Sequence, residues 1–411
     1  MVPSPFPSRS HRARRSAPDH CSILTNDLGA DMTEVGASVR TAARGDEADR
    51  LRTSAAVVNT AGAPFEIEEL EISRPLGREV LVEVKASGLC HSDLTFARSG
   101  MGYPPPVVLG HEVAGVVTEV GPEVTTHAVG DHVVASLIQF CGTCATCLSG
   151  RTYQCPVGGT LRAPEEAPRL SRDGEAITQG LGLGGFAQRA LIHERQLVTV
   201  PKTLPFALAA LLGCAVVTGA GAVINTANVQ AGQTVVVIGA GGVGLNAISG
   251  AVIAGAAHIV AVDVHDAKLE LARAFGATHV VNSAKADPVE LVRDLGGADA
   301  VFDLVGAKAV TEQALEMLVK GGALYLIGAV GMGERMDLDI IGMIAGQRRI
   351  QGVNMGSSNI ARDIPMYADL YLGGRMNLDG LVSKEISLAE INDGYAALED
   401  PSIARVVITS F

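Results

Sequence analysis

The chain has 411 residues, 47% of them apolar and 18% charged, with a formal net charge of −12. That length suits two domains, and that composition suits a large packed core rather than a disordered chain. The acidic balance argues against nucleic-acid binding, which needs Lys and Arg against phosphate.

Residues 1–52 read as a disordered N-terminal extension. "MVPSPFPSRSHRARRSAPDH" is rich in Pro, Ser and Arg. It has basic residues but no apolar run behind them, so it is no secretory signal, and its prolines break the amphipathic helix of an organelle presequence. An upstream start codon, with Met32 as the working start, is the alternative reading. Periodic sequence begins near Thr53. Residues 53–215 then read mostly as short strands and turns: "REVLVEVKASG" alternates, and "HEVAGVVTEVG" and "GDHVVASLI" are β-branched runs bounded by Gly or Asp.

Within that first domain, residues 141–155 read "CGTCATCLSGRTYQC", with Cys141, Cys144, Cys147 and Cys155 at C-x2-C-x2-C-x7-C spacing in a chain of 7 cysteines. Three further cysteines at fixed spacings arise by chance with a probability of order 10⁻⁵, so the cluster is not accidental. A disulfide knot needs an oxidising compartment, to which no signal peptide points. A redox C-x-x-C motif does not need four thiols. Four thiolates at short spacing suit a closed tetrahedral zinc site, which is structural because it leaves no position for substrate. Zinc-finger peptides gain about 10–16 kcal/mol from their metal, so the ion rather than a core of its own is expected to order this lobe.

A second set is scattered. Cys90 stands in "GLCHSDL", His111 in "LGHEVAG" and Cys214 in "LLGCAVVTG". One His and two Cys form the ligand set of an open catalytic zinc, as in alcohol dehydrogenase. Singly, each reads as an ordinary core cysteine or a satisfied histidine; their company is what favours a metal centre.

No Asp, Glu, Lys or Arg lies between Lys202 and Asp263. A membrane span needs about 20 apolar residues, but Pro205 and several glycines interrupt this stretch and the polar loop "NTANVQAGQ" follows it. Residues 216–354 alternate strand and helix: "TVVVIGA", "VGLNAISGAVIAGA", "HIVAVDV", "DAKLELARAFGA", "THVVN", "PVELVRDLG", "DAVFDLVG", "VTEQALEMLVKGG" and "ALYLIGAV". That order predicts a doubly wound parallel sheet, apolar because helices cover both faces. "GAGGVG" (Gly239 to Gly244) fits G-x-G-x-x-G after a strand and before a helix. Gly239, Gly241, Gly242, Val243 and Gly244 would bring backbone against a pyrophosphate, and Asp263, ending the next strand, would bond a ribose 2′-OH. Asp263 repels a 2′-phosphate, which favours NAD over NADP. Lys268, one turn into the next helix, is either a ribose contact or a solvated lysine. The rhythm breaks after Asn354, so 355–411 is expected to return to the first domain.

Taken together these motifs resemble the zinc-dependent alcohol dehydrogenases of the medium-chain dehydrogenase/reductase family, in family order and spacing over about Thr53–Phe411. The resemblance implies an α/β fold: a GroES-like β-rich catalytic domain plus a Rossmann doubly wound coenzyme domain, with the active site between them. It implies two Zn²⁺ per chain, a catalytic ion on Cys90, His111 and Cys214 and a structural ion on the four-cysteine lobe, with NAD as cofactor. Ser92 matches the hydroxyl that takes the alcohol proton. Asp93 matches the carboxylate that orients the zinc-bound His. Glu112 matches the acid behind the metal, with Arg405 as its partner. His91 matches a residue at the pyrophosphate, and Thr218 lies where the family packs the nicotinamide. Polyol dehydrogenases typically use Glu as third ligand, so Cys214 favours ordinary alcohols.

Many members carry His where this chain has Thr95, which leaves the last base of the proton relay open between Thr95 and His91. The long segment after Cys155 resembles that of dimeric members, pointing to a homodimer rather than a homotetramer. The implied reaction is reversible oxidation of a small alcohol to an aldehyde or ketone, in the cytoplasm, with no membrane or nucleic-acid partner. A thiol-adduct (formaldehyde-type) or aryl-alcohol dehydrogenase of the same family is the alternative. A binding protein on an inactivated dehydrogenase would have lost Cys90, His111, Cys214 or Ser92, and all four are present.

Overall fold

The computed structural model describes residues 50–163, 166–328 and 335–411. The expectations for the N-terminal extension, including Met32 as the working start, therefore lie outside the described residues. The first strand, Leu51–Val58, begins before Thr53, because Leu51 and Arg52 already pair with Ile72 and Glu71. It closes a five-stranded barrel with Glu66–Ile72, Leu170–Arg172, Glu175–Gln179 and Val107–Val108.

A seven-stranded sheet carries the rest of this β-rich domain. Its spine is Glu79–Gly88, flanked by Glu112–Val120 and Arg189–His193. Successive side chains of a strand point to opposite faces. Accordingly Val80, Val82 and Val84 fill one core while Leu81 fills another. Two late strands, Val382–Ser387 and Arg405–Ser410, join this sheet, with Val407 and Ile408 opposite Gly88 and Ser87.

The second sheet has six parallel strands in the order His279–Asn282, His258–Asp263, Thr234–Ile238, Ala298–Asp303, Leu318–Leu326 and Arg349–Gly352. This is the doubly wound order, in which ligands bind where the strand order reverses, beside the first strand. The β-branched run Thr234–Ile238 is wholly buried, as expected of a central parallel strand. One element differs from the sequence reading. "VTEQALEMLVKGG" is helical only to Glu316, since Leu318 already pairs with Ala298 and opens the next strand.

Between the two sheets runs a 22-residue helix, Phe206–Ala227, of mean hydropathy 2.2. By length and composition it would cross a membrane, yet 83% of its most apolar window is buried inside the protein. It is the centre of the largest core cluster, where Leu211, Val216 and Val223 meet Leu245 and Ile248 of one domain and Ile364 and Tyr367 of the return segment. Buried side chains of this size contribute about 1.5–3 kcal/mol each, so this helix couples the sheets energetically as well as covalently. Its hydrogen bonding is not uniformly α: Leu212–Val216 and Ala222–Ala227 are π turns.

Candidate active site

Cys90 follows the spine strand and stands immediately before the helix His91–Ser99. His111 precedes the strand Glu112–Val120. Cys214 sits in the first π turn of the central helix, and π turns recur at functional sites because the extra residue re-aims a side chain. A side-chain carbon on Gly213 would collide with the carbonyl oxygen of Ala135, so glycine there lets the helix lie on its strand and carry Cys214 inward. One donor atom each from Cys90, His111, Glu112 and Cys214 lies within 4.8 Å of the other three, and all four residues are buried. His111 Nε2 is 3.2 Å from Cys214 Sγ. Two thiols and an imidazole nitrogen converging in a buried pocket fit zinc by donor chemistry.

The surroundings prepare that donor set. Asp93, wholly buried, stands 2.9 Å from His111 Nδ1 through Oδ2 and accepts the Gly110 N–H through Oδ1 at 3.0 Å. This keeps the imidazole proton on Nδ1 and turns Nε2 toward the thiols. Burial opposes a charge on His111, but Asp93 and Cys90 outweigh it and raise the imidazole pKa well above its ordinary value. The hydrogen bond from Cys214 holds the Cys90 thiol well below the usual range, and the same contact drives Cys214 up. Burial pushes Glu112 up to about 7 against the pull of Arg405, 3.6 Å away. Neither carboxylate oxygen of Glu112 has a hydrogen-bond partner, although the side chain is fully buried. Such a group is costly unless a cation or donor meets it. Tyr395, absent from the sequence reading, donates to the Cys90 carbonyl at 3.3 Å and steadies the backbone that carries this thiol.

The four-cysteine lobe is a second centre. Its Sγ–Sγ distances include 3.5 Å for Cys144–Cys147, 3.7 Å for Cys141–Cys155 and 3.9 Å for Cys141–Cys147 and Cys144–Cys155. A tetrahedral zinc with bonds of about 2.3 Å holds its sulfurs about 3.8 Å apart, whereas a disulfide needs about 2.05 Å. All four cysteines are free thiols at separations that fit the ion. Backbone N–H groups of Thr143 and Cys144 point at Cys141 Sγ and lower its pKa to about 5.

The dinucleotide fingerprint lies at the switch point of the parallel sheet. Gly239 has φ +96° and turns the chain from the strand into the helix Gly242–Ala254. A side chain on Gly244 would strike the Gly239 carbonyl, and around Gly241 there is open space. The Arg405 guanidinium lies directly beside the Cα of Gly242, so the same arginine serves the Glu112 contact and the helix N-terminus. A positive side chain at a helix N-terminus suits a pyrophosphate. Val243 turns its carbonyl to Gly219 of the central helix. Asp263 is buried at the end of the neighbouring strand and accepts from the N–H groups of Ala240 (2.9 Å), Val264 (2.8 Å) and His265 (3.1 Å). Lys268 is half-exposed on the next helix, and its charge reaches His91.

His91, Ser92 and Thr95 lie on the exposed side of their short helix. Partial desolvation and Arg405 lower the His91 pKa. Thr95 is not brought to the metal centre: its hydroxyl donates to the His91 carbonyl at 3.0 Å. Thr218 is buried, and its hydroxyl donates to Met355 Sδ at 3.6 Å. Met355 was not legible as a site residue; the polar turn cluster "NMGSSN" was the available signal.

Two family models match the chain: an alcohol dehydrogenase GroES-like domain over residues 77–202 and a zinc-binding dehydrogenase domain over residues 242–371. An NDMA-dependent alcohol dehydrogenase of Amycolatopsis methanolica is 40% identical over 87% of this chain and 99% of its own length. An S-(hydroxymethyl)glutathione dehydrogenase of Paracoccus denitrificans is 36% identical over 87% of this chain and all of its own length. The crystal structure of a benzyl alcohol dehydrogenase of Acinetobacter calcoaceticus superposes with a TM-score of 0.83 at 35% identity, covering 88% of this chain and all of that one. With a buried Cys–His–Cys cluster, matches to a GroES-like and a zinc-binding dehydrogenase domain, and relatives of this identity over their full length, the chain belongs to the zinc-type alcohol dehydrogenases of the medium-chain dehydrogenase/reductase family.

Proposed function

We propose that this alcohol dehydrogenase works with NAD, and that Cys90, His111 and Cys214 hold a catalytic zinc while Cys141, Cys144, Cys147 and Cys155 hold a structural one. The observation that carries the cofactor reading is the Asp263 carboxylate, anchored by three backbone amides at the mouth of the glycine turn. A carboxylate there accepts from a ribose 2′-hydroxyl and repels a 2′-phosphate. Bound zinc would supply Lewis-acid polarisation of the alcohol oxygen, and bound NAD would supply the hydride acceptor.

The chain's own residues do the rest. Asp93 fixes the His111 tautomer. Arg405 and the amides around Gly241 and Gly242 hold the pyrophosphate, with His91 beside them. Lys268 reaches the ribose, and Thr218 forms a wall of the nicotinamide seat. Ser92, on the exposed turn just after Cys90, takes the alcohol proton outward. His91, whose imidazole can take a proton, is a better terminal acceptor than Thr95, whose hydroxyl is engaged on the helix backbone. Reduced thiol ligands suit a cytoplasmic location, and the long segment after Cys155 supports a homodimer.

The test is a substrate panel run with NAD and with NADP beside a zinc assay. It contains a short aliphatic alcohol, benzyl alcohol, and formaldehyde with glutathione, since relatives carry the last two chemistries in their names; a parallel arm offers NDMA as oxidant. NAD-dependent turnover of at least one alcohol is expected. Equal use of NADP, or an enzyme active only in the NDMA arm, would defeat the NAD reading. Asp263→Ser should raise relative NADP use, and should also loosen the glycine turn because the Ala240 amide loses its carboxylate acceptor.

A further inference from the structure

The segment Met355–Ser357 is built in an uncommon way. Three consecutive residues have left-handed backbone, with φ +48° at Met355, +58° at Gly356 and +50° at Ser357. Only the middle one is glycine. A non-glycine residue in that region carries strain, and strained residues persist only where their surroundings over-determine them.

Here the surroundings are the central helix. A side chain on Gly356 would collide with the Val217 carbonyl, so the turn presses backbone against backbone. Ser358 Oγ donates to the Val217 carbonyl at 3.2 Å, and Thr226 Oγ1 donates to Ser357 Oγ at 2.7 Å. Asn225 donates to Asp363 Oδ2 at 2.9 Å, which also accepts the Asn359 N–H at 3.1 Å. On the opposite side of the same turn, Asn354 Nδ2 reaches the Tyr153 carbonyl, between Cys147 and Cys155, at 3.4 Å. The strained turn thus joins the cysteine lobe to the helix segment that carries both Cys214 and Thr218.

One contact points inward. Thr218 Oγ1 donates to Met355 Sδ. A threonine inside a helix otherwise bonds back to the carbonyl four residues earlier, which here belongs to Cys214. We propose that Met355 is a positioning residue for the cofactor: the strained turn holds its sulfur over Thr218, keeps the Thr218 hydroxyl off the Cys214 carbonyl, and so sets the wall of the nicotinamide seat. This rests on the reading of Thr218 as part of that seat.

Binding of NADH to the full chain, followed by the fluorescence of the dihydronicotinamide, tests it; the chain has no Trp to interfere. Met355→Leu keeps the volume and loses the acceptor, a swap that packed cores tolerate. It should weaken NADH binding about two- to tenfold, the scale of one hydrogen bond, with a melting temperature within about 5 °C of the unmodified chain's. Met355→Gln, which restores an acceptor, should bind within about twofold of the unmodified chain. The double variant Thr218→Val/Met355→Leu should bind no more weakly than Met355→Leu alone, because the hydroxyl that lost its partner is gone. Losses that multiply in the double variant, or unchanged binding in Met355→Leu, would overturn the inference while leaving the NAD reading intact. Failure of the unmodified chain to bind NADH at all would overturn both.

Discussion

In the lobe, four thiols come from fifteen consecutive residues, three of them half-exposed and Cys147 buried, and are fastened mainly by their own backbone amides. Cys90, His111 and Cys214 come instead from a helix start, a strand start and a π turn; His111 and Cys214 are 103 positions apart, yet all three are buried. The first centre should therefore depend on a bound ion for its order. The second is positioned by the sheet and the central helix. Metal should therefore be a folding ligand in one region and a chemical one in the other.

The largest effect should break that symmetry outright. Cys90→Ser should lose one zinc and reduce alcohol oxidation to the assay baseline with little change in melting temperature. Cys147→Ser should also lose one zinc, but lower melting temperature and soluble yield while each folded molecule keeps its turnover. Elemental analysis beside thermal melts decides it, and the comparison collapses if the two variants behave alike.

Next comes the proton. Ser92→Ala should cost about 10²–10⁴-fold in turnover, the scale for a lost proton acceptor, and leave both zincs in place. Thr95→Val should be mild, because its hydroxyl serves the His91 carbonyl rather than the metal centre. Kinetics of Thr95→Val and His91→Gln across pH separate the two; a collapse confined to Thr95→Val would restore Thr95 as a relay.

A smaller change sharpens the view that the buried centre is prepared by its neighbours. Asp93→Asn should weaken zinc at that centre about 10–100-fold, as losses behind metal-bound histidines do, without touching the lobe. Competition with a graded chelator would read the two sites separately, and equal loss from both would contradict a local role.

The smallest effect supplies a control outside both centres. His193 is buried, accepts the Arg195 N–H, and has its pKa lowered from 6.5 to about 4 by burial. The folded state keeps it neutral, while the unfolded chain takes up a proton below 6.5. Its stabilisation is therefore complete above pH 6.5 and is lost as pH falls toward 4. His193→Gln should flatten that part of the melting curve against pH, and an unchanged slope would assign the acid loss elsewhere.

Short-range chemistry was legible from the residues alone. C-x2-C-x2-C-x7-C, the glycine turn with an acid at the end of the next strand, and the alternation of apolar runs each depend on neighbours a few positions apart, where chain geometry leaves little freedom. The family resemblance added the scattered ligands, but the residues themselves said nothing of how Cys90, His111 and Cys214 meet. That depends on which strand lies beside which, and on a π turn that no local pattern marks. The same holds for Arg405, which reaches both Glu112 and Gly242 only because the last strand pairs with the spine strand. The engagement of Thr95 by its own helix and the left-handed turn at Met355–Ser357 were likewise decided in three dimensions. A hydroxyl's partner and a strained φ are set by whatever packs against them, and here that packing comes from residues far away in the chain.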